Sequence, residues 1–120
     1  MDRRKVGKQG EDFAASYLVS RKYRIIHRNW TCRGGELDLI ALDPKKKLVF
    51  VEVKYIRESN YCEPHELLTQ RKKNNLFRSI QIYLNNNENK DINNWQLDLI
   101  GLKKKKHEIT TNHYKDVFSF

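Results

Sequence analysis

One stretch constrains the fold more than any other. From residue 36 the chain runs Glu36-Leu37-Asp38-Leu39-Ile40-Ala41-Leu42, then Asp43-Pro44-Lys45-Lys46-Lys47, then Leu48-Val49-Phe50-Val51-Glu52-Val53-Lys54-Tyr55. Two apolar, β-branched runs flank a segment whose proline presets a turn and whose lysines keep it in water. Glu36–Leu42 and Leu48–Tyr55 are therefore expected to be the arms of a hairpin. Side chains alternate across a strand. Leu37, Leu39 and Ala41 should share one face, with Glu36, Asp38 and Ile40 on the other. In the second arm Val49, Val51 and Val53 oppose Phe50, Glu52 and Lys54. The parity of the turn then decides everything. An odd number of turn residues sets Asp38 against Glu52 and Glu36 against Lys54, whereas an even number sets Asp38 against Val51 and disperses the cluster.

Opposed carboxylates on a half-buried sheet are destabilising unless a cation neutralises them. Lys54 supplies part of that charge. A hard divalent ion, Mg²⁺ or Mn²⁺, is expected to supply the rest, because Mg²⁺ is typically held by one or two carboxylates, waters and a substrate phosphate. Such a site can hold a phosphodiester, activate a water and stabilise the leaving oxygen. Lys54 would orient the water or stabilise charge on phosphorus. A Glu-x-Lys in a strand is by itself usually a solvated face. Asp38, preceded by Gly35-Glu36 and 14 residues upstream of Glu52, is what sets this one apart.

Around the hairpin, Phe13/Tyr17 and Ala14/Leu18 are i, i+4 pairs that predict a helix from about Arg4 to Ser20. Tyr23 to Trp30 reads as a strand and Thr31-Cys32-Arg33-Gly34-Gly35 as a turn. Tyr61 to Glu66 reads as a loop around Pro64. A second helix is expected from near Thr69, a plausible N-cap, to Leu84, with Tyr17, Phe77 and Tyr83 at core spacing. Asn85 to Asn94 is expected as a loop, Trp95 to Leu102 as a strand, Lys103 to Lys106 as a basic turn and His107 to Thr111 as a short last strand. The order α-β-β-β-α-β-β puts a helical crossover between the third and fourth strands, which makes those two parallel in a mixed sheet. Residues 1–120 are expected to form a single α/β domain.

The 24 Lys and Arg outnumber the 15 Asp and Glu, for a net charge of +9, of which the first thirty residues carry +5. A polyanion, most plausibly nucleic acid, is the partner class this balance favours. Thirteen aromatic residues argue against a disordered basic tail. Cys32 and Cys62 form no C-x-x-C pair, and His27, His65, His107 and His113 lack finger spacing, so a structural zinc is not expected. Nor is a membrane span. Met1-Asp2-Arg3-Arg4-Lys5 leads into polar sequence, so the expected compartment is the cytosol.

The Asp38-x₁₃-Glu52-Val53-Lys54 pattern resembles the PD-(D/E)XK nuclease superfamily, with its restriction-endonuclease-like fold. More closely, the chain is similar to the small bacterial YraN family, related in pattern to Holliday-junction resolvases. The matching segments are Gly7-Lys8-Gln9-Gly10-Glu11 with Ala14 and Tyr17-Leu18, Asn29-Trp30, Arg33-Gly34-Gly35-Glu36-Leu37-Asp38-Leu39-Ile40, Phe50-Val51-Glu52-Val53-Lys54, Thr69 with Lys72, and Tyr83-Leu84. The resemblance implies Asp38 and Glu52 as metal ligands and Lys54 as the catalytic lysine. It also implies Glu11 as a further acid of the metal shell; Glu36 matches a family position of less defined role. The chain departs from the family pattern at Ile56-Arg57, where Arg usually stands two residues after the lysine. It departs again at Gln96-Leu97-Asp98, where Arg often precedes Phe-Asp.

Small residues at Gly7 and Gly10 would let the first helix approach the sheet and bring Glu11 to the site. Arg33, Lys72, Lys8 and Arg57 are the expected nucleic-acid contacts, with Lys73 as a further candidate and with Trp30 and Trp95 as possible stacking surfaces. The leading expectation is a metal-dependent endonuclease acting on DNA, with branched DNA as a candidate substrate and a homodimer as a candidate assembly. The alternatives are a nucleic-acid-binding protein of the same fold without turnover, and a basic RNA- or ribosome-associated protein whose acids are merely a solvated face.

Overall fold

The computed structural model describes residues 3–56, 64–86 and 94–119. The elements are α1 (Arg3–Ser20), β1 (Arg24–Cys32), β2 (Gly35–Leu42), β3 (Leu48–Ile56), α2 (Pro64–Leu67), α3 (Gln70–Asn86), β4 (Trp95–Lys105), β5 (Glu108–Tyr114) and a closing 3₁₀ turn (Val117–Ser119). The five strands form one sheet in the order β1-β2-β3-β4-β5. All neighbours are antiparallel except β3 and β4, which run parallel across the α2–α3 crossover. The mixed α/β architecture is the one expected.

Central β3 shows why its sequence reads as nearly continuous apolar rather than alternating. Both of its faces are covered. Val49 and Val51 pack with Ala14 and Leu18 of α1, whereas Leu48 and Phe50 pack with Leu76, Ile80 and Tyr83 of α3. The layers are thus α1, sheet, α3. Gly10 sets the first contact: a Cβ there would stand 2.7 Å from Tyr55 Cε2 and 3.4 Å from Leu102 Cδ1, so α1 approaches the sheet at a distance only glycine permits. Thr69 caps α3 as expected, accepting the Lys72 N–H on Oγ1 at 3.2 Å.

Several expectations are corrected. Lys103 to Lys105 are strand, because β5 pairs with them (Lys103 with Thr110, Lys104 with Ile109, Lys105 with Glu108) and the ladder outweighs lysine's weak β preference. The turn is confined to Lys106 and His107, with Lys106 at φ 54°. Pro64 to Leu67 form a helical turn rather than a loop, with proline at its first position. Asn85 and Asn86 extend α3; most of the remaining Asn-rich segment, like Arg57 and Cys62, lies outside the described residues. Phe77 is 47% exposed, not core, and lies against Trp95 and Phe118. No described helix is long and apolar enough to cross a membrane.

Candidate active site

The β2–β3 ladder pairs Leu42 with Leu48, Ala41 with Val49, Ile40 with Phe50 and Leu39 with Val51. The turn between the strands is residues 43–47, an odd number, so the register is the one that directs Asp38 toward Glu52. The ladder then stops. Beyond Leu39 the strands part, and Asp38 Oδ2 fills the gap by accepting the Val53 N–H at 2.9 Å, where a backbone carbonyl would otherwise stand. Glu36 and Lys54 are accordingly not ladder partners. Glu36 pairs instead with Thr31 of β1 and is exposed.

On the other side of β2, strand β1 is irregular at the same level. Asn29 adopts a left-handed backbone, φ 52°, and the β1–β2 ladder skips the Asn29/Asp38 position while pairing Arg28 with Leu39 and Trp30 with Leu37. Asparagine tolerates that conformation better than most residues. Strict alternation fails there too. Leu37 packs in the α3-side core with Ile40, whereas Leu39 and Ala41 pack on the α1 side. The expected face-sharing of Leu37 with Leu39 is therefore wrong, because a kinked position opposite Asp38 turns the strand between them.

Glu52 is buried, with 6% of its surface exposed. Its carboxyl is pushed up to about 8, first by burial and next by the charge of Asp38, with which it also shares a hydrogen bond; Lys72 and Lys54 pull the other way. Burial beside a second acid thus favours the protonated form of Glu52. Lys72 Nζ, from the first turn of α3, stands 3.9 Å from Glu52 Oε1. Lys54 is half-buried on the same face of β3.

Glu11 reaches the cluster from α1. Burial raises its pKa first and the Asp38 charge second, against the lowering effects of Arg28 and of a hydrogen bond from Asn29. The Asn29 amide, turned with its NH₂ toward α1, donates to both carboxylate oxygens, at 3.1 Å for Oε2. Arg28 meanwhile pairs with Asp12. Asn29 thus combines a left-handed backbone opposite Asp38 with a side chain that holds Glu11. The sequence reading quoted Asn29 among the matching segments without a role and missed Arg28 and Asp12; an asparagine within a β-rich run was the available signal. Among the described residues, no group of three His, Cys, Asp or Glu side chains is arranged to hold a metal ion.

A groove of about 350 Å³ is lined by Thr31, Glu36, Lys72, Asn75 and Ser79 among others, and Lys72 links it to Glu52. The Gly34–Gly35 turn lies against α3: Arg78 donates to the Gly34 carbonyl at 3.3 Å, and Gly35 leaves no room for a Cβ beside Ser79. Arg33 is exposed on this turn, and Lys8 is exposed on α1 one helical turn before Glu11. Lys73 is buried, 6% exposed, and cannot face a ligand. Trp30 and Trp95 lie edge-on to Tyr83 and Phe50, serving the core rather than presenting flat faces for stacking.

A family model described as Uncharacterised protein family UPF0102 matches residues 10–102. A UPF0102 protein of Carboxydothermus hydrogenoformans is 34% identical over 120 residues, covering 100% of both chains. A UPF0102 protein of Geobacter sulfurreducens is 43% identical over 88 residues, covering 73% of this chain and 68% of its own. Two solved structures are similar at a lower level. A repair endonuclease from Pyrococcus abyssi has a TM-score of 0.43 and 12% identity over 89% of this chain, which spans 41% of that one. Pyrococcus furiosus SfsA in complex with Ca²⁺ has a TM-score of 0.43 and 16% identity over 95% of this chain, which spans 64% of that one.

Proposed function

The chain belongs to the uncharacterised protein family UPF0102, and from the acids at the split between β2 and β3 we propose that it is a divalent-metal-dependent endonuclease hydrolysing DNA phosphodiesters, with branched or junction DNA as its substrate. The observation that carries this reading is the buried Glu52 carboxyl, raised to about 8 beside Asp38. Two acids facing each other in a sheet are unfavourable for folding, and a proton relieves them only in part. The donor set is all oxygen and contains two carboxylates, which fits Mg²⁺ or Mn²⁺.

Asp38 and Glu52 would hold the ion, with Glu11 as the third acid beside them. When bound, it supplies the charge that activates a water and stabilises the leaving oxygen. The chain's own residues do the rest. The Val53 N–H fixes Asp38, and Asn29 fixes Glu11. Lys54, close enough to Glu52 to lower its pKa, would stabilise the charge that builds on the attacked phosphate. Lys72, Arg33 and Lys8 hold the phosphate backbone. A junction has two-fold symmetry, so a homodimer suits such a substrate.

One observation favours a second reading, a DNA-binding protein without turnover: among the described residues no three ligands already converge. The RNA- or ribosome-associated alternative needed the acids to be a solvated face, and Glu52 is buried. The test offers single-stranded, duplex and four-way-junction DNA with Mg²⁺ or Mn²⁺ to the wild type, Asp38→Ala and Lys54→Ala. Cleavage by the wild type alone supports the nuclease. Binding without cleavage supports the second reading, and cleavage that survives both substitutions removes this site from the mechanism.

A further inference from the structure

The second inference concerns the other end of α1. Asp98 on β4 is fully buried and accepts three hydrogen bonds: His113 Nε2 at 2.7 Å, Gln96 Nε2 at 2.7 Å and the Asp116 N–H at 3.0 Å. His113 on β5 is nearly enclosed, its side chain 7% exposed. With its Nε2 proton committed to Asp98, its Nδ1 lies 3.2 Å from the Tyr17 hydroxyl. The two rings meet edge to face with centroids 5.6 Å apart. A buried carboxylate therefore fixes an imidazole, and the imidazole fixes a phenol. Tyr17 is half-buried at the end of this series.

The phenol forms part of a cleft of about 420 Å³ lined by Tyr17, Arg21, Tyr23, Lys45, His113 and Lys115 among others. That volume lies in the range of small-molecule sites. Three cations come from three separate places: the end of α1, the β2–β3 turn and the end of β5. Asp43 is the acid among the lining residues, and its Oδ1 is already engaged by the Lys45 and Lys47 N–H groups, each at 2.8 Å, where it closes the turn. Arg21 is held over the Tyr17 ring, 5.4 Å from the centroid. Three cations gathered round one cleft give it a positive potential that favours an anion.

We infer that this cleft binds a phosphate monoester, carried by a free nucleotide or by the end of a nucleic-acid strand. A monoester carries close to two negative charges at neutral pH, against one for a diester, and so matches three cations better. Arg21 offers the planar fork suited to phosphate oxygens. Tyr17, held from beneath by His113, supplies a polar group of fixed position at the cleft's inner side. The site is separate from the acid pair: the Asp43–Lys47 turn is at the opposite end of the hairpin from Asp38, and Tyr17 stands six residues beyond Glu11, about 9 Å along the helix axis.

The test uses the full-length protein without divalent metal, so it does not depend on the nuclease reading. Inorganic phosphate and deoxyadenosine monophosphate are titrated while the ring resonances of His113 and Tyr17 are followed by NMR. Saturable shifts of both rings are expected. Arg21→Ala and Lys45→Ala should each weaken binding about tenfold, while Lys104→Ala, which removes an exposed charge outside the cleft, should change it less than twofold. Shifts that do not saturate, or an affinity that Arg21→Ala and Lys45→Ala leave unchanged, overturn the inference. A 5′-phosphorylated oligonucleotide is then compared with its 5′-hydroxyl counterpart. Tighter binding of the phosphorylated strand than of its 5′-hydroxyl counterpart identifies a strand end as the ligand, and equal binding of the two strands, with the mononucleotide still saturating the cleft, identifies a free nucleotide.

Discussion

Two buried acids stand next to each other in this sheet and meet opposite circumstances. Across the parallel β3–β4 pairing, Val51 faces Asp98 and Glu52 faces Leu99. Asp98 turns toward α1 and receives three donors, one from an enclosed histidine. Glu52 turns toward α3 and meets another acid, with Lys72 at 3.9 Å and 41% exposed. Burying a carboxylate costs several kcal/mol unless hydrogen bonds and charge compensate it. Asp98 is compensated from within the chain and so belongs to the fold. Glu52 has no such set of donors, and its raised pKa is the cost of burial beside Asp38.

The largest effect is expected where compensation is complete. Asp98→Ala removes the acceptor of the Gln96 amide, the Asp116 N–H and the nearly enclosed His113, and should cost about 3–5 kcal/mol of stability, read by chemical denaturation. If it costs less than about 1 kcal/mol, the contrast with Glu52 collapses. Next comes Lys54→Ala, which should lower metal-dependent cleavage by about 100-fold while leaving the melting temperature near wild type. A loss of stability to match the loss of activity would make Lys54 structural.

The pH response sharpens the comparison further. Glu52 has a folded pKa of about 8 against the ordinary 4.5. Between those values the folded state keeps a proton that the unfolded state has released. The contribution is therefore fully present below about pH 4.5 and is lost as pH rises through about 8. The metal-free protein should melt at progressively lower temperature from pH 5 to pH 8.5, and Glu52→Gln should flatten that slope. Stabilisation by Mg²⁺ or Mn²⁺ should run the opposite way, greater at pH 8.5 than at pH 6, because the ion competes with that proton. Smallest of all is Lys72→Ala. Its partner ion pair is partly exposed, so stability should change by under about 1 kcal/mol. The pH midpoint should nevertheless move upward, because a cation that favours ionised Glu52 is gone.

Much of the architecture was legible because it depends on local rules. Helix α1 was read from residue 4 and begins at Arg3, and the Thr69 cap is made as expected. The parallel β3–β4 pair followed from the crossover between them. The five-residue turn fixed the register of the hairpin, since parity admits only two outcomes. What was illegible depends on neighbours. Lys103 to Lys105 looked like a turn until β5 supplied a ladder for them. Leu37 looked like a partner of Leu39 until the kink at Asn29 separated their faces. Lys73 and Lys72 were indistinguishable in sequence, yet one is buried and the other is beside Glu52.

The same division holds for the site. Sequence by itself determined that Asp38, Glu52 and Lys54 sit on one hairpin, because strand period and turn length are properties of consecutive residues. It determined the basic balance of +9 as well. Only the tertiary structure decided that Glu52 is buried, that Asn29 stands left-handed opposite Asp38 and steadies Glu11, and that Asp98, His113 and Tyr17 form a single series. Those relations join residues up to 96 positions apart. Burial and hydrogen-bond partnership are set by what packs across the sheet, and no local pattern carries that information.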